Sequence, residues 1–198
     1  MSFPKIKLGV TGGMGSGKSF VCDLLRQQGI PVFGCDAAAQ EELHENKLLQ
    51  TQIKQLVGDD VYDASGCLVK PRMREFLCSG PEAAHRLDSL VHPCVRQRMR
   101  RWASVQSGTL VAVECALLYE AGFDRAVDKV LVVTAPRDLR IERVMARDGL
   151  TRSRVEAVMS LQMSEDEKVR RADFVIQNDG ISDLRPQIAE ILAALSFF

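Results

Sequence analysis

Residues 12–19, GGMGSGKS, decide most of what this chain can become. They fit G-x-x-x-x-G-K-[ST], with Gly12 first, Gly17 and Lys18 next, and Ser19 last. A short apolar run, residues 6–11 (IKLGVT), comes directly before. After Lys18, the spacing of Val21, Leu24 and Leu25 puts apolar side chains on one face of a helix that stops near Gly29. Strand, glycine loop and helix form the frame in which backbone N–H groups wrap an anion, because glycines keep side chains away and accept positive φ. Gly12, Gly13, Gly15 and Gly17 then have a mechanical purpose, and the helix starting near Lys18 aims its unpaired N–H groups at the anion. A glycine-rich connector that happens to hold a lysine is the bland alternative, and the flanking strand and helix argue against it.

In this frame Lys18 reaches the β and γ phosphates of ATP, and the Ser19 hydroxyl coordinates the Mg²⁺ that bridges them. The ATP-binding stretch is Gly12, Gly13, Met14, Gly15, Ser16, Gly17, Lys18, Ser19 and the next residue, Phe20. The loop alone does not say which group receives the phosphate.

With 198 residues the chain can bury one good core but is short for two independent domains. Residues 31–35 read as a second buried strand that delivers Asp36 at its carboxyl end. Residues 109–115 (TLVAVEC) and 129–134 (KVLVVT) are β-branched and nearly uninterrupted, as parallel strands covered on both faces should be. A helix opens at Pro136 and runs to about Arg147; a second begins near Thr151; a fifth strand spans 172–177 and a last amphipathic helix 182–195. Between strands two and three, residues 37–106 are mainly helical, broken by turn chemistry at 58–60, 63–66 and 79–81. The expected fold is α/β, a doubly wound parallel five-stranded sheet in a single domain. Its core is expected from 1–36, 107–136 and 171–198, with a helical insertion at 37–106 and a helical lid at 137–170.

Lys and Arg total 26 and Asp and Glu total 26, so the whole molecule has no electrostatic preference for nucleic acid or an anionic membrane. No apolar run approaches the roughly 20 residues that span a bilayer, which leads to the expectation of a cytoplasmic protein. A monomer or weak homo-oligomer is expected as well. Six cysteines lie without a CxxC pair and away from His44, His85 and His92 at metal-ligand spacing, so reduced thiols are expected, with Cys35 and Cys115 in interior strands.

Ligands of open parallel sheets lie beyond the carboxyl ends of the strands, where Asp36 and Glu114 fall. Phosphoryl transfer to an alcohol needs a proton acceptor and a group that orients the metal. Asp36 is assigned as the base and Glu114 as an outer-sphere Mg²⁺ partner; an N-cap before a helix starting near Ala37, and a solvated strand end, are the respective alternatives. Arg140, Arg143 and Arg147 share a helical face, read either as a solvated surface or as a lid that closes over the triphosphate. Arg96, Arg98, Arg100 and Arg101 form a second basic run at whose start His92 stands, either a surface helix or a site for a phosphate-rich ligand.

These residues together resemble the dephospho-coenzyme A kinase family. LGVTGGMGSGKS is similar to that family's phosphate loop, LDSLVHPCV to its His-Pro element, VECALLYEAGFD to its third-strand segment, and the stretch from Arg143 through Gln162 and Lys168 to ADFVIQNDG to its lid and final strand. The resemblance implies transfer of the γ-phosphate of ATP to the 3′-hydroxyl of dephospho-coenzyme A. It also implies site roles: Thr11 and Asp36 beside the acceptor hydroxyl; His92, Leu117, Leu118, Tyr119 and Glu120 along the acceptor pocket; Arg143 and Arg147 on the phosphates as catalytic residues with Lys18 and Asp36; and Asn178 near the adenine. The chain departs from the family pattern at Ala38, where a second acid is usual, and at Ala116, Phe20 and Arg140. Rival readings are a nucleoside monophosphate or small hydroxy-acid kinase, an ATP-binding regulatory protein and an RNA-binding protein. The helical insertion and the His-Pro element argue against the first.

Overall fold

The computed structural model describes residues 5–196; the first four and last two residues of the expected core segments lie outside that range. In chain order the described elements are β1 (Ile6–Thr11), α1 (Lys18–Gln27), β2 (Val32–Gly34), α2 (Cys35–Glu45), α3 (Lys47–Val57), α4 (Lys70–Leu77), α5 (Pro81–Val105), β3 (Leu110–Glu114), β4 (Lys129–Thr134), α6 (Arg137–Asp148), α7 (Arg152–Met159), α8 (Glu165–Arg170), β5 (Phe174–Gln177) and α9 (Leu184–Leu195). The chain divides into two compact units, one of residues up to 34 and from 105 onward, the other of residues 35–104.

In the first unit five strands pair in the order β2-β3-β1-β4-β5, and every pairing is parallel. Val111, Ala112 and Val113 of β3 are all fully buried, the pattern of a strand covered on both faces. Leu8, Val10, Ala112, Leu131, Val133 and Ile176 pack with Val21, Leu24 and Leu25 of α1 and with Ile188, Ile191 and Leu195 of α9. Burying each large aliphatic side chain of this layer contributes about 1.5–3 kcal/mol. The α9 helix starts where Asp183 accepts the Arg185 N–H, and its buried residues Leu184, Ile188, Ile191 and Leu195 recur at helical spacing. On the opposite face of β1, Gly9 leaves room for Leu118, whose Cδ1 would lie 2.7 Å from any Cβ placed there.

The lid stretch holds three helices among the described residues, one more than the sequence reading anticipates. Ile141, Val144 and Val155 bind α6 to α7 in a small separate cluster that Met14 also joins. The unanticipated α8 begins at Ser164, whose hydroxyl accepts the Glu167 N–H; Ser164 and Glu167 stand at the spacing of a capping box.

In the second unit, α2 begins at Cys35, so Asp36 lies in the first turn of the helix and does not cap it from outside. Cys35 is thus a buried helical residue, and Cys115 follows β3; neither is inside a strand, although both are buried free thiols. The α5 helix runs unbroken from Pro81 through Pro93 to Val105, so His92 sits within the helix and not at its start. A proline removes one helical hydrogen bond. Buried Val91, Val95 and Met99, one turn apart, hold the helix together across that point. Arg98 is committed to three carboxylates of α2, with Glu41 at 2.5 Å, Glu42 at 3.2 Å and Glu45 at 3.4 Å. The basic run therefore serves in part as an internal staple.

Candidate active site

The order of strands reverses at β1, which is flanked by β3 and β4, and at that switch point the glycine loop leaves the sheet. Val10 is paired with Glu114, the last residue of β3, and Thr11 with Val132, two residues before the end of β4, so the loop leaves the sheet near the carboxyl ends of both neighbours. Two glycines are required by the geometry. Gly17 caps α1 with φ 92°, and a Cβ there would lie 2.1 Å from Asn178 Nδ2. Gly15 has φ 79°, and its Cβ would lie 2.4 Å from the Arg140 carbonyl oxygen. The Ser16 N–H donates to the Gly13 carbonyl at 3.1 Å, folding the loop back on itself, and Lys18 Nζ donates to the Gly12 carbonyl at 3.0 Å. The ammonium thus lies close to the loop backbone, a place suited to an anion drawn to the first N–H groups of α1.

The next residue, Ser19, donates its hydroxyl to Glu114 Oε1 at 2.9 Å. Glu114 ends β3 in register with Gly34 of β2 and Val10 of β1, so the sheet itself carries this carboxylate to the loop. A hydroxyl and a carboxylate in contact beside a phosphate cradle make a donor set of hard oxygens, which suits Mg²⁺. No group of three or more His, Cys, Asp or Glu suited to a metal occurs among the described residues. Burial, with the Glu114 carboxylate adding, pushes the Cys22 thiol one turn into α1 up to about 12, so it remains a neutral apolar filler.

Three elements brace the loop from outside. Asn178, at the end of β5, donates its side-chain N–H to the Ser16 carbonyl at 2.9 Å, and its own backbone N–H bonds to Thr134 of β4 at 2.8 Å. Arg143 of α6 donates to Asn178 Oδ1 at 3.2 Å and to the carbonyls of Gly15 and Asn178, each at 3.4 Å. Gln162 accepts the Met14 N–H at 3.2 Å, and Glu165 accepts the Gly13 N–H at 3.4 Å. Beside Gly17, an open recess of about 380 Å³ is lined by Phe20, Arg143, Asn178, Gly180 and Leu184. Asn178 thus faces a recess while its side chain holds the loop. Arg147 is apart from this group: it pairs with Asp148 at 2.7 Å and is largely exposed.

The segment after β3 splits by environment. Thr11, buried, donates its hydroxyl to the Ala116 carbonyl at 3.3 Å. Leu117 is exposed; Leu118 and Tyr119 are buried, and burial, with Asp124 and Asp173 adding, pushes the Tyr119 phenol up to about 12. Glu120 reaches the lid, accepting the Met163 N–H at 2.9 Å and lying 3.2 Å from the Nζ of fully buried Lys168. In the second unit Asp36 is exposed and Ala38 is buried, so a second acid at that position would have to be buried as well. His92 lies 3.6 Å from Asp88, and burial holds its imidazole below the ordinary range. The sequence reading did not find Glu165; its only signal there was an acidic residue following the Ser164 cap.

A parallel sheet with a Gly12–Ser19 cradle at its switch point, a metal-suited carboxylate on the adjacent strand and arginine-bearing helices after β4 define a P-loop kinase. The family model for dephospho-CoA kinase matches residues 6–183. The chain belongs to the dephospho-CoA kinase family. It is 37% identical over 191 residues to a dephospho-CoA kinase from Bacteroides fragilis, covering 96% of this chain and 93% of that one. Among solved structures, a protein from Thermus thermophilus superimposes with a TM-score of 0.83 at 36% identity, over 99% of each chain. A dephospho-CoA kinase from Campylobacter jejuni superimposes with a TM-score of 0.70 at 24% identity over 96% of each chain, a likeness of fold.

Proposed function

We propose that this chain transfers the γ-phosphate of ATP to the 3′-hydroxyl of dephospho-coenzyme A, giving coenzyme A and ADP. The observation that carries the reading is the Ser19–Glu114 hydrogen bond at the foot of the phosphate cradle, in a chain of this family. The cradle's N–H groups and Lys18 hold the β and γ phosphates and stabilise the charge that grows on the transferring group. Mg²⁺, held through Ser19 with Glu114 behind it, neutralises phosphate charge when bound.

Asp36 accepts the proton of the ribose hydroxyl as the new O–P bond forms and the bond to the β-phosphate oxygen breaks. Thr11, His92, Leu117, Leu118, Tyr119 and Glu120 are the residues we assign to acceptor binding. Arg143 orients the loop and the phosphates. Arg147, exposed and paired with its neighbour Asp148, is available to swing onto the triphosphate. Phe20, Asn178 and the recess they share receive the adenine, for which an aromatic ring and an amide are suitable partners. No helix among the described residues is long and apolar enough to cross a membrane. We place the reaction in the cytoplasm, carried out by a monomer or weak homo-oligomer.

An ADP-release assay across dephospho-coenzyme A, nucleoside monophosphates and RNA tests this reading. Release dependent on dephospho-coenzyme A supports it, and release that follows a nucleoside monophosphate instead would assign the chain to a different kinase activity.

A further inference from the structure

Arg140 and Glu165 form an ion pair whose side chains keep only 11% and 16% of their exposure. Both partners also touch the phosphate loop. The other oxygen of Glu165 accepts the Gly13 N–H at 3.4 Å, and the Arg140 backbone carbonyl lies where a Cβ on Gly15 would meet it at 2.4 Å. A guanidinium nitrogen of Arg140 lies 2.0 Å from where a Cβ on Gly13 would stand. The neighbouring Met14 N–H is taken by Gln162 at 3.2 Å. The first turn of the loop is thus seated on side chains of residues 140–165, and within this pair the two charges neutralise each other. A buried cation and anion held this closely are a poor source of net stability, since desolvation offsets most of their attraction. What the arrangement gives is geometry: an acceptor fixed at one backbone N–H by a partner that cannot easily rotate away.

We propose that Arg140 and Glu165 are a positioning pair that holds the Gly13–Gly15 turn in its ATP-binding shape. They act on phosphoryl transfer through the loop and not by touching ATP. The inference rests on the reading of the loop as an ATP site, so the test measures binding of a non-hydrolysable ATP analogue and needs no acceptor.

Two double variants of the full chain isolate the effect. Arg140→Gln with Glu165→Gln removes both charges and keeps an oxygen for the Gly13 N–H, whereas Arg140→Gln with Glu165→Ala removes both charges and that oxygen. Neither leaves an unpaired buried charge, so both are expected to fold, with melting temperatures close to each other. The first should bind the analogue within about threefold of the parent and the second about tenfold more weakly, the order expected for one backbone hydrogen bond shaping a site. The affinity for dephospho-coenzyme A, measured without nucleotide, should be equal in the two. Equal analogue affinity in both variants, with only melting temperature lowered, would reduce the pair to a structural contact. Tighter binding in the alanine variant would also overturn the proposal, because Glu165 would then be competing with the phosphates. Failure of the parent to bind the analogue would instead overturn the ATP reading itself.

Discussion

Glu120→Gln breaks an ion pair whose cation has nowhere else to go. Lys168 has no solvent exposure, and its ammonium lies 3.2 Å from the Glu120 carboxylate, which keeps 23% of its own. Removing one partner of a buried pair costs roughly 3–5 kcal/mol. Solvent contact at Glu120 screens part of its field, and glutamine keeps an oxygen for the Met163 N–H, so the expected loss is about 2–3 kcal/mol. At ~2–4 °C per kcal/mol for a chain of this size, the melting temperature should fall by about 5–10 °C. Lys168→Met should be milder, because the carboxylate it abandons still meets water. Urea unfolding of both variants, followed by circular dichroism, supplies the free energies. A loss within about 0.5 kcal/mol for Glu120→Gln, the range of an ordinary surface change, would refute the view that this pair ties the lid to the segment after β3.

Lys18→Ala should leave a folded protein whose transfer rate falls by roughly two or more powers of ten, since the ammonium stabilises charge in the transition state; a rate near the parent's in a coupled ADP assay would contradict the cradle. Asp36→Asn keeps the shape of the first turn of α2 but cannot take a proton, so kcat should fall by roughly 10²- to 10⁴-fold with little change in KM for ATP. A near-parental rate for Asp36→Asn beside an inactive Glu114→Gln would move the base to Glu114. Burial raises the Cys22 thiol from its ordinary 9.0 to about 12, so the unfolded chain gives up that proton first. Stability from this group is therefore intact below about pH 9 and lost as pH rises toward about 12, and Cys22→Ala should flatten the fall in melting temperature over that window; parallel curves would contradict the assignment.

The sequence is most legible where a local pattern is self-sufficient. β4 spans Lys129–Thr134, the same residues that its uninterrupted β-branched run predicts, and β3 loses only one residue at each end of its predicted run. The glycine loop is equally readable, because its pattern, its strand and its helix are contiguous. Pro93 misleads because a proline taken alone signals a helix boundary, while the burial of Val91, Val95 and Met99 that overrides it is a tertiary fact. The α8 helix, only six residues long, carries too little periodicity to be seen, although its Ser164 cap was readable. Contacts between distant residues are the least visible part. Ser19 and Glu114 are each legible as site residues, yet their hydrogen bond depends on strand register. Glu120 with Lys168, and Arg140 with Glu165, depend on where the lid lands and leave no trace in sequence spacing.

Phosphorus NMR of the purified chain with ATP, Mg²⁺ and dephospho-coenzyme A tests the central claim most directly. The γ-phosphate resonance should disappear as ADP and a single new phosphomonoester grow in equal amounts, with the ester coupled to the ribose 3′ proton. Inorganic phosphate in place of the ester, or an ester at another ribose position, would contradict the assignment of this site.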